Sequence, residues 1–371
     1  LEIGKRAFME FFSENALGRK RAFHSVQSME QDVLDFGLSL FSAPEDATGV
    51  FTSGGSESIL VAMKAARDAW RATHEGQARA ALNLVMPVTG HPAHDKAAAL
   101  MDVEIRRAPL KADCRVDVAE MEPLIDENTI AIVGSAPCFP HGVIDDIGAL
   151  SELALRRGVW LHVDACVGGW IAPHLADIGR DTPPFDFRFE GVRSISADLH
   201  KFGFCPKPAS TVFLRRSEDA ARAAFVADQW TSGRFETSTL VGTRPAGSVA
   251  AAWAVLQHLG RKGYRDVAAR LSEMVDGYVK GIEAIDGLRM VARPDATIIN
   301  FTSDSVDMAL VADGMLTRGW LPGMTRKPVG MHIMLSMFHS EAMGDYLADL
   351  QSSVDEARQA KGVEAKSSAV Y

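Results

Sequence analysis

The chain has 371 residues, of which 47% are hydrophobic and 23% charged, as in an ordinary globular protein with a large core. Its formal net charge of −9, without a block of lysine or arginine, argues against a nucleic-acid-binding protein, because such proteins neutralise phosphates with clustered basic residues. The four cysteines show no metal-ligand spacing, so we expect no metal site and a reduced chain in the cytoplasm. No apolar run approaches the roughly 20 residues that span a bilayer, but the chain begins at Leu1, so the question of an upstream membrane anchor stays open.

The order of the predicted elements indicates an α/β fold. Residues 1–47 predict a mostly helical segment, and from residue 48 helices alternate with short buried strands. The candidate strands are Leu82–Met86, Ile130–Ser135, Val159–Val163, Ser194–Ala197 and Thr211–Leu214. Such alternation predicts a mostly parallel sheet covered by helices. A turn-rich stretch at 242–247 precedes a long helical pattern, so we expect a large domain at 48–247 and a smaller C-terminal α+β domain at 248–371.

A glycine pair opens the first helix that follows residue 48. Ser53, Gly54, Gly55 and Ser56 directly precede apolar residues that repeat at helical spacing. Glycines allow the backbone to approach an anion closely, and the free N–H groups of a first helical turn can then bind a phosphate. The alternative is a serine-capped helix with a flexible entry.

Three further side chains follow predicted strands or turns. His91 comes after Leu82–Met86, where an imidazole can stack on an aromatic cofactor or simply act as a capping or core histidine. His141 lies in a proline- and glycine-rich turn, either as part of that turn or as a substrate contact. Arg244 lies on the 242–247 turn, where its planar guanidinium can hold a phosphate or carboxylate, or can be an exposed surface group.

An aspartate and a lysine end two consecutive predicted strands. Asp164 follows Val159–Val163, and the pair His200-Lys201 follows Ser194–Ala197. In a parallel sheet both groups reach the carboxyl edge, where ligands of open α/β folds bind. Pyridoxal phosphate requires such a pair, because a lysine forms its Schiff base and a carboxylate keeps its pyridine nitrogen protonated. Either residue alone is more often a solvated loop residue or half of an ion pair.

Taken in order, these segments resemble the group II pyridoxal-phosphate-dependent decarboxylases and, within that family, the sphingosine-1-phosphate lyases. The resemblance covers roughly residues 25–340. The motifs that carry it are Thr52–Ile59, His91 with Lys96-Ala97, Phe139–Asp145, His162–Gly169, Phe185–Arg188, Ser194–Lys201 and Gly242–Pro245. Their combination is far more specific than any one of them.

The resemblance implies a fold of the aspartate aminotransferase type (fold type I) and a homodimer with active sites at the subunit interface. It also implies catalytic roles for three residues: Lys201 would carry the Schiff base, Asp164 would pair with the pyridine nitrogen, and His91 would stack on the ring. The other residues expected to bind the cofactor are Ser53, Gly54, Gly55, Ser56 and His200. His141 and Arg244 would contact the substrate.

The reaction implied by the resemblance is retro-aldol cleavage of a phosphorylated long-chain amino alcohol to a fatty aldehyde and phosphoethanolamine. Phe202, Phe204 and Phe235 stand where the lyases commonly carry tyrosine, so the base for the C3 hydroxyl is not identified. Three alternatives remain: α-decarboxylation of an amino acid, cleavage of a shorter β-hydroxy amine, and a catalytically silent cofactor-binding paralogue. We also expect Schiff-base conjugation and a low-dielectric site to depress the pKa of Lys201, so that its neutral amine can attack.

Overall fold

A seven-stranded sheet lies at the centre of the structure, a computed structural model that describes residues 1–18, 22–74, 76, 81–360, 362 and 364–368. Its strands are β1 (Thr48–Thr52), β2 (Asn83–Pro87), β3 (Glu104–Ala108), β4 (Thr129–Ser135), β5 (Trp160–Asp164), β6 (Val192–Ala197) and β7 (Ser210–Leu214). They lie in the order β1-β7-β6-β5-β4-β2-β3. All pairs from β6 to β3 are parallel, whereas β7 runs antiparallel to both its neighbours. The predicted mostly parallel sheet is confirmed.

Helices cover both faces of this sheet. The helices of the described residues are α1 (Glu2–Glu10), α2 (His24–Leu40), α3 (Gly55–Thr73), α4 (Ala93–Met101), α5 (Val118–Met121), α6 (Ile147–Arg157), α7 (Ala172–Asp177), α8 (Ser217–Ala223), α9 (Gly247–Glu283), α10 (Met308–Thr317) and α11 (His339–Gln359). Alternate residues of β4 belong to different cores: Ile132 packs with residues of α2, α6 and α9, while Ala131 and Val133 pack with residues of α3 and α4. This alternation is the period of a strand that is buried on both faces.

A second, smaller sheet follows in the chain. After the hairpin of β8 (Phe225–Ala227) and β9 (Phe235–Thr237), it comprises β10 (Leu288–Met290), β11 (Ile298–Ser303), β12 (Gly323–Arg326) and β13 (Val329–Met334). Its order is β10-β11-β13-β12, all antiparallel, and it shares a core with α10, α11 and the second half of α9. Helix α9 is interrupted at Gly260, where φ is 53° and ψ is −178°. The domain boundaries at 47/48 and 247/248 stay a prediction.

None of the helices within the described residues is long and apolar enough to cross a membrane.

Candidate functional site

A cavity of about 380 Å³ lies at the carboxyl ends of the central strands, within the usual size range of small-molecule sites. Its walls come from the start of α3 and from the loops after β2, β4, β5 and β6. Every predicted cofactor-binding residue lines it: Ser53, Gly54, Gly55, Ser56, His91, Asp164, His200 and Lys201. The fold therefore brings together residues that are up to about 150 positions apart in the chain.

The N-terminus of α3 forms an anion cradle on one side of this cavity. Gly54 precedes the helix without a side-chain cap, and the helical hydrogen bonds begin with the Glu57 N–H, which donates to the Gly54 carbonyl. A Cβ atom on Gly55 would lie 2.8 Å from Cys166 Sγ and 2.9 Å from both carboxylate oxygens of Asp198. Only glycine leaves this space open. Backbone N–H groups and the helix dipole make the cradle suitable for a phosphate.

The buried Glu57 carboxylate joins this cradle to a distant segment, which we did not predict from the sequence. Its Oε2 atom accepts a hydrogen bond from the Ser53 N–H at 2.6 Å, and its Oε1 atom accepts one from the Leu240 N–H at 2.7 Å. The sequence does contain a signal for this contact, because a glutamate at the third position of a helix is typical of a capping box. Glu57 thereby fixes the loop before α3 against the segment that leads to the 242–247 turn.

Asp164 is buried yet remains ionised. Burial alone would raise its pKa, but the neighbouring His94, His162 and His91 hold the pKa at about 2. Its Oδ1 atom accepts hydrogen bonds from the Cys166 N–H at 3.1 Å and from the Ser196 hydroxyl at 3.3 Å. An anionic carboxylate at the cavity wall is suited to a protonated ring nitrogen.

Lys201 forms an ion pair that sequence reasoning missed. Its Nζ atom lies 3.0 Å from the carboxylate of the buried Asp198, three residues earlier in the same motif. Burial is the largest single influence and lowers the pKa of the Lys201 ammonium, but Asp198, Cys166 and Asp164 together raise it by more, so the net shift is upward. The low-dielectric part of the predicted depression is therefore wrong for the chain without a ligand, because that expectation left out the Asp198 carboxylate, while the part that rests on Schiff-base conjugation stays a prediction.

The two histidines of the cavity are held by backbone groups. His91 Nδ1 accepts a hydrogen bond from the Ala93 N–H at 3.1 Å, and His200 Nδ1 accepts one from the Ala209 N–H at 3.2 Å. Burial lowers the pKa of His200 even though Asp198 favours its charged form. A neutral His200 therefore carries its proton on Nε2, from which it can donate to an anion in the cavity.

A second, outer cavity of about 550 Å³ shares Thr89, His91 and Phe139 with the first. Apolar and basic side chains both line it, and no acidic residue is found among the described residues of its wall. The apolar side chains include Val88, Leu110, Phe139 and Met324, and the basic ones are Arg107, Arg326, Lys327 and the imidazoles of His91, His141 and His332. The predicted substrate residue His141 thus lies beside the first cavity, which we call the inner or cofactor cavity.

Arg244 and the three phenylalanines lie elsewhere. The buried Arg244 guanidinium donates to Glu30 Oε2 at 3.3 Å, and Arg244 does not line either cavity. Its contact with substrate stays a prediction. The phenylalanines that replace tyrosines are likewise absent from the described walls of both cavities: Phe202, Phe204 and Phe235.

Comparison with known proteins agrees with this geometry. A family model described as the pyridoxal-dependent decarboxylase conserved domain matches residues 22–303. A sphingosine-1-phosphate lyase of Oryza sativa subsp. japonica is 37% identical over 362 residues, which are 96% of this chain and 66% of that protein. A probable L-tyrosine/L-aspartate decarboxylase of Methanothermobacter thermautotrophicus is 33% identical over 333 residues, 90% of this chain and 88% of that protein. The chain thus spans somewhat less than two thirds of the rice lyase.

A solved structure supports the same assignment. The sphingosine-1-phosphate lyase of Burkholderia pseudomallei superposes with a TM-score of 0.92 at 34% identity, covering 96% of this chain and 83% of that one. The predicted resemblance is confirmed, as is pyridoxal phosphate as the cofactor. Because the family model matches well over half of its residues, the chain belongs to the pyridoxal-dependent decarboxylase family.

Proposed function

We propose that the protein is a pyridoxal-phosphate-dependent carbon–carbon lyase that cleaves long-chain base phosphates of the sphingosine 1-phosphate type. The products are a fatty aldehyde and phosphoethanolamine. The observation that carries this proposal is the outer cavity, which combines apolar walls with basic side chains directly beside the cofactor cavity. A substrate with an alkyl chain and a phosphate needs both surfaces. The similarity to lyases of plants and bacteria supports the same reaction.

The residues of the inner cavity fit the cofactor. The cradle at the start of α3 has the space and the N–H groups for the cofactor phosphate, and the anionic Asp164 pairs with the protonated pyridine nitrogen. Lys201 would hold the cofactor through its amine, and His91, which lines the same cavity, would lie against the ring. When bound, the cofactor accepts the electron pair released as the C2–C3 bond of the substrate breaks.

The cradle predicts a steric effect at Gly55. In Gly55→Ala the new methyl group displaces the Cys166 and Asp198 side chains or the phosphate, so cofactor affinity falls by roughly ten- to a hundredfold, as for an overpacked site. Fluorescence titration of the apoprotein with pyridoxal phosphate measures this. The control is Gly344→Ala, because a methyl group added at Gly344 on α11 meets no atom within 4 Å. Equal affinities of Gly55→Ala and wild type would contradict the cradle.

The raised pKa of Lys201 predicts how cofactor attachment depends on pH. Only the neutral amine attacks the aldehyde, so at pH values below this pKa the attachment rate increases about tenfold per pH unit. Stopped-flow absorbance of the apoprotein mixed with pyridoxal phosphate gives this rate. Asp198→Asn removes the ion-pairing carboxylate and should accelerate attachment at neutral pH. A rate that is independent of pH, with no gain in the variant, would show that the ion pair does not limit attachment.

His141 lines the outer cavity and can act on the substrate hydroxyl. Asn300 Nδ2 donates to the Met331 carbonyl at 3.1 Å, which leaves Asn300 Oδ1 to accept from the His141 Nδ1–H at 3.2 Å. His141 Nε2 then carries a lone pair, and burial lowers the pKa of this imidazole so that it is neutral near pH 7. We propose that His141 Nε2 takes the proton of the C3 hydroxyl, a role that does not need the missing tyrosines.

The basic turn between β12 and β13 provides the proposed phosphate contact. Arg326 and Lys327 are exposed at the wall of the outer cavity, which Arg107 also lines. An amino-acid decarboxylase would not need this combination of cations and apolar wall.

The decisive experiment supplies the purified holoenzyme with sphinganine 1-phosphate and, separately, with L-tyrosine, L-aspartate and L-glutamate. Fatty aldehyde and phosphoethanolamine in equal amounts support the lyase. Carbon dioxide from an amino acid without aldehyde from the lipid would overturn the proposal in favour of a decarboxylase, the activity named for the Methanothermobacter relative.

We further propose a homodimer in a reducing compartment such as the cytoplasm. Phe225, Trp230 and Leu240 expose more than half of their surface near the segment that Glu57 holds, as expected of side chains that a second copy covers. The four cysteines are buried and unpaired, which fits a reducing compartment. A monomer by light scattering of the holoenzyme would contradict the dimer.

A further inference from the structure

A chain of four buried hydrogen bonds ends on the Asp164 carboxylate. It starts at the Trp160 indole, which lies 2.7 Å from Ser194 Oγ. Ser194 Oγ lies 2.8 Å from His162 Nδ1, and His162 Nε2 lies 3.3 Å from Ser196 Oγ. Ser196 Oγ in turn lies 3.3 Å from Asp164 Oδ1. All five side chains are buried, and all stand on β5 and β6.

The direction of these bonds follows from the carboxylate at one end and from the neutral state of His162. The indole N–H only donates, and an ionised carboxylate only accepts. The Ser196 hydroxyl therefore donates to Asp164, and its oxygen accepts from His162 Nε2–H. Since burial holds the pKa of His162 at about 3, the imidazole is neutral, and its Nδ1 accepts from the Ser194 hydroxyl. Each group thus donates toward Asp164, and successive bonds of this kind polarise one another.

We infer that this series of hydrogen bonds, which we call the β5–β6 relay, positions Asp164 for the cofactor. The relay and the Cys166 N–H both bind the Oδ1 atom. No hydrogen bond to the Oδ2 atom is found within the described part of the chain, and Asp164 lines the cofactor cavity. The relay therefore fixes one oxygen in the protein and leaves the other for the pyridine nitrogen. His162 and Ser196 are positioning residues that act through Asp164.

The inference rests on the proposed pairing of Asp164 with the cofactor, and its test reads cofactor binding rather than turnover. The variants are Ser196→Ala, which removes the last bond, and Ser194→Ala, which breaks the relay far from the cavity while leaving the His162 ring in place. Apoprotein is titrated with pyridoxal phosphate, and both the dissociation constant and the visible absorption band are recorded. Ser353→Ala is the matched control, because that hydroxyl is also buried and bonded, to the Asp349 carbonyl on α11.

The relay predicts that Ser196→Ala weakens cofactor affinity about tenfold, that Ser194→Ala has a smaller effect in the same direction, and that Ser353→Ala has none. A double-mutant cycle then separates positioning from general loss of structure. In an Asp164→Asn background the effect of Ser196→Ala should fall to about twofold or less, because the residue through which it acts is already neutral. His162→Gln, whose amide can donate to Ser196, should retain more affinity than His162→Phe.

Each outcome has a distinct meaning. The relay is overturned if both serine variants bind the cofactor as tightly as the wild type does. It is also overturned if Ser196→Ala has an undiminished effect in the Asp164→Asn background. Neither result bears on the proposed lyase activity. Absence of a cofactor band in the wild type overturns the lyase and the relay together. Decarboxylation in place of aldehyde release overturns only the lyase, because the titration does not depend on the substrate.

Discussion

Lys201→Ala is expected to lower the turnover of sphinganine 1-phosphate by about 10⁴-fold, because the amine that binds the cofactor covalently is lost. In the wild type, Lys201 is the only lysine among the described residues that line the inner cavity, and its Nζ atom lies 3.0 Å from the Asp198 carboxylate. Borohydride reduction of the holoenzyme followed by peptide mass spectrometry identifies directly which lysine carries the cofactor. The reduced cofactor should be found on the peptide that contains Lys201 and be missing from the variant.

The matched control is Lys262→Ala on α9, whose side chain is 86% exposed and binds Asp266 at 3.0 Å. It removes an equal charge and should retain wild-type turnover and labelling. Labelling of another lysine in the wild type, or full turnover of Lys201→Ala, would disprove the assignment of Lys201.

Asp164→Asn should reduce turnover by about 10³-fold while the protein stays folded. The amide is nearly isosteric with the carboxylate but carries no charge, so it cannot hold a proton on the pyridine nitrogen. The anionic form persists in the wild type down to a pH near its pKa of about 2, so acid should not reproduce the variant at any pH where the enzyme is assayed. Steady-state kinetics should show the loss in kcat, with a visible band of altered position.

Asp266→Asn is the control for this variant, because Asp266 is a solvent-exposed carboxylate on α9 paired with Lys262. We expect unchanged kinetics from it. A wild-type kcat in Asp164→Asn would show that another group keeps the cofactor protonated.

The sequence predicted five of the seven strands of the large sheet, within two residues at either end, because these strands are apolar and lie between helical patterns. It missed β3, an edge strand whose Glu104 and Arg107 are exposed or partly exposed and give no hydrophobic run. It also missed β1, which begins with the polar and small residues Thr48 and Gly49. Both lie at the edges of the sheet, where burial constrains the sequence least.

The candidate site was predictable where its residues follow strands, because the carboxyl ends of parallel strands meet at one edge. His91, Asp164, His200 and Lys201 line the inner cavity for this reason, whereas Ser53–Ser56 were predicted from the glycine pair that opens a helix. Asp198 and Glu57 were missed since their importance comes from partners, Lys201 and Leu240, that only the folded chain brings close. The ion pair of Arg244 with Glu30 was missed for the same reason, and the contact of Arg244 with substrate stays a prediction.

The double contact of Glu57 has a thermodynamic consequence. The same carboxylate holds the Ser53 N–H beside the cradle and the Leu240 N–H in the segment after β9, so order in one place favours order in the other. A ligand that binds only the ordered cradle then stabilises both by mass action. Cofactor loading should therefore increase the resistance of residues 238–246 to proteolysis, and order in that segment should in turn favour cofactor binding.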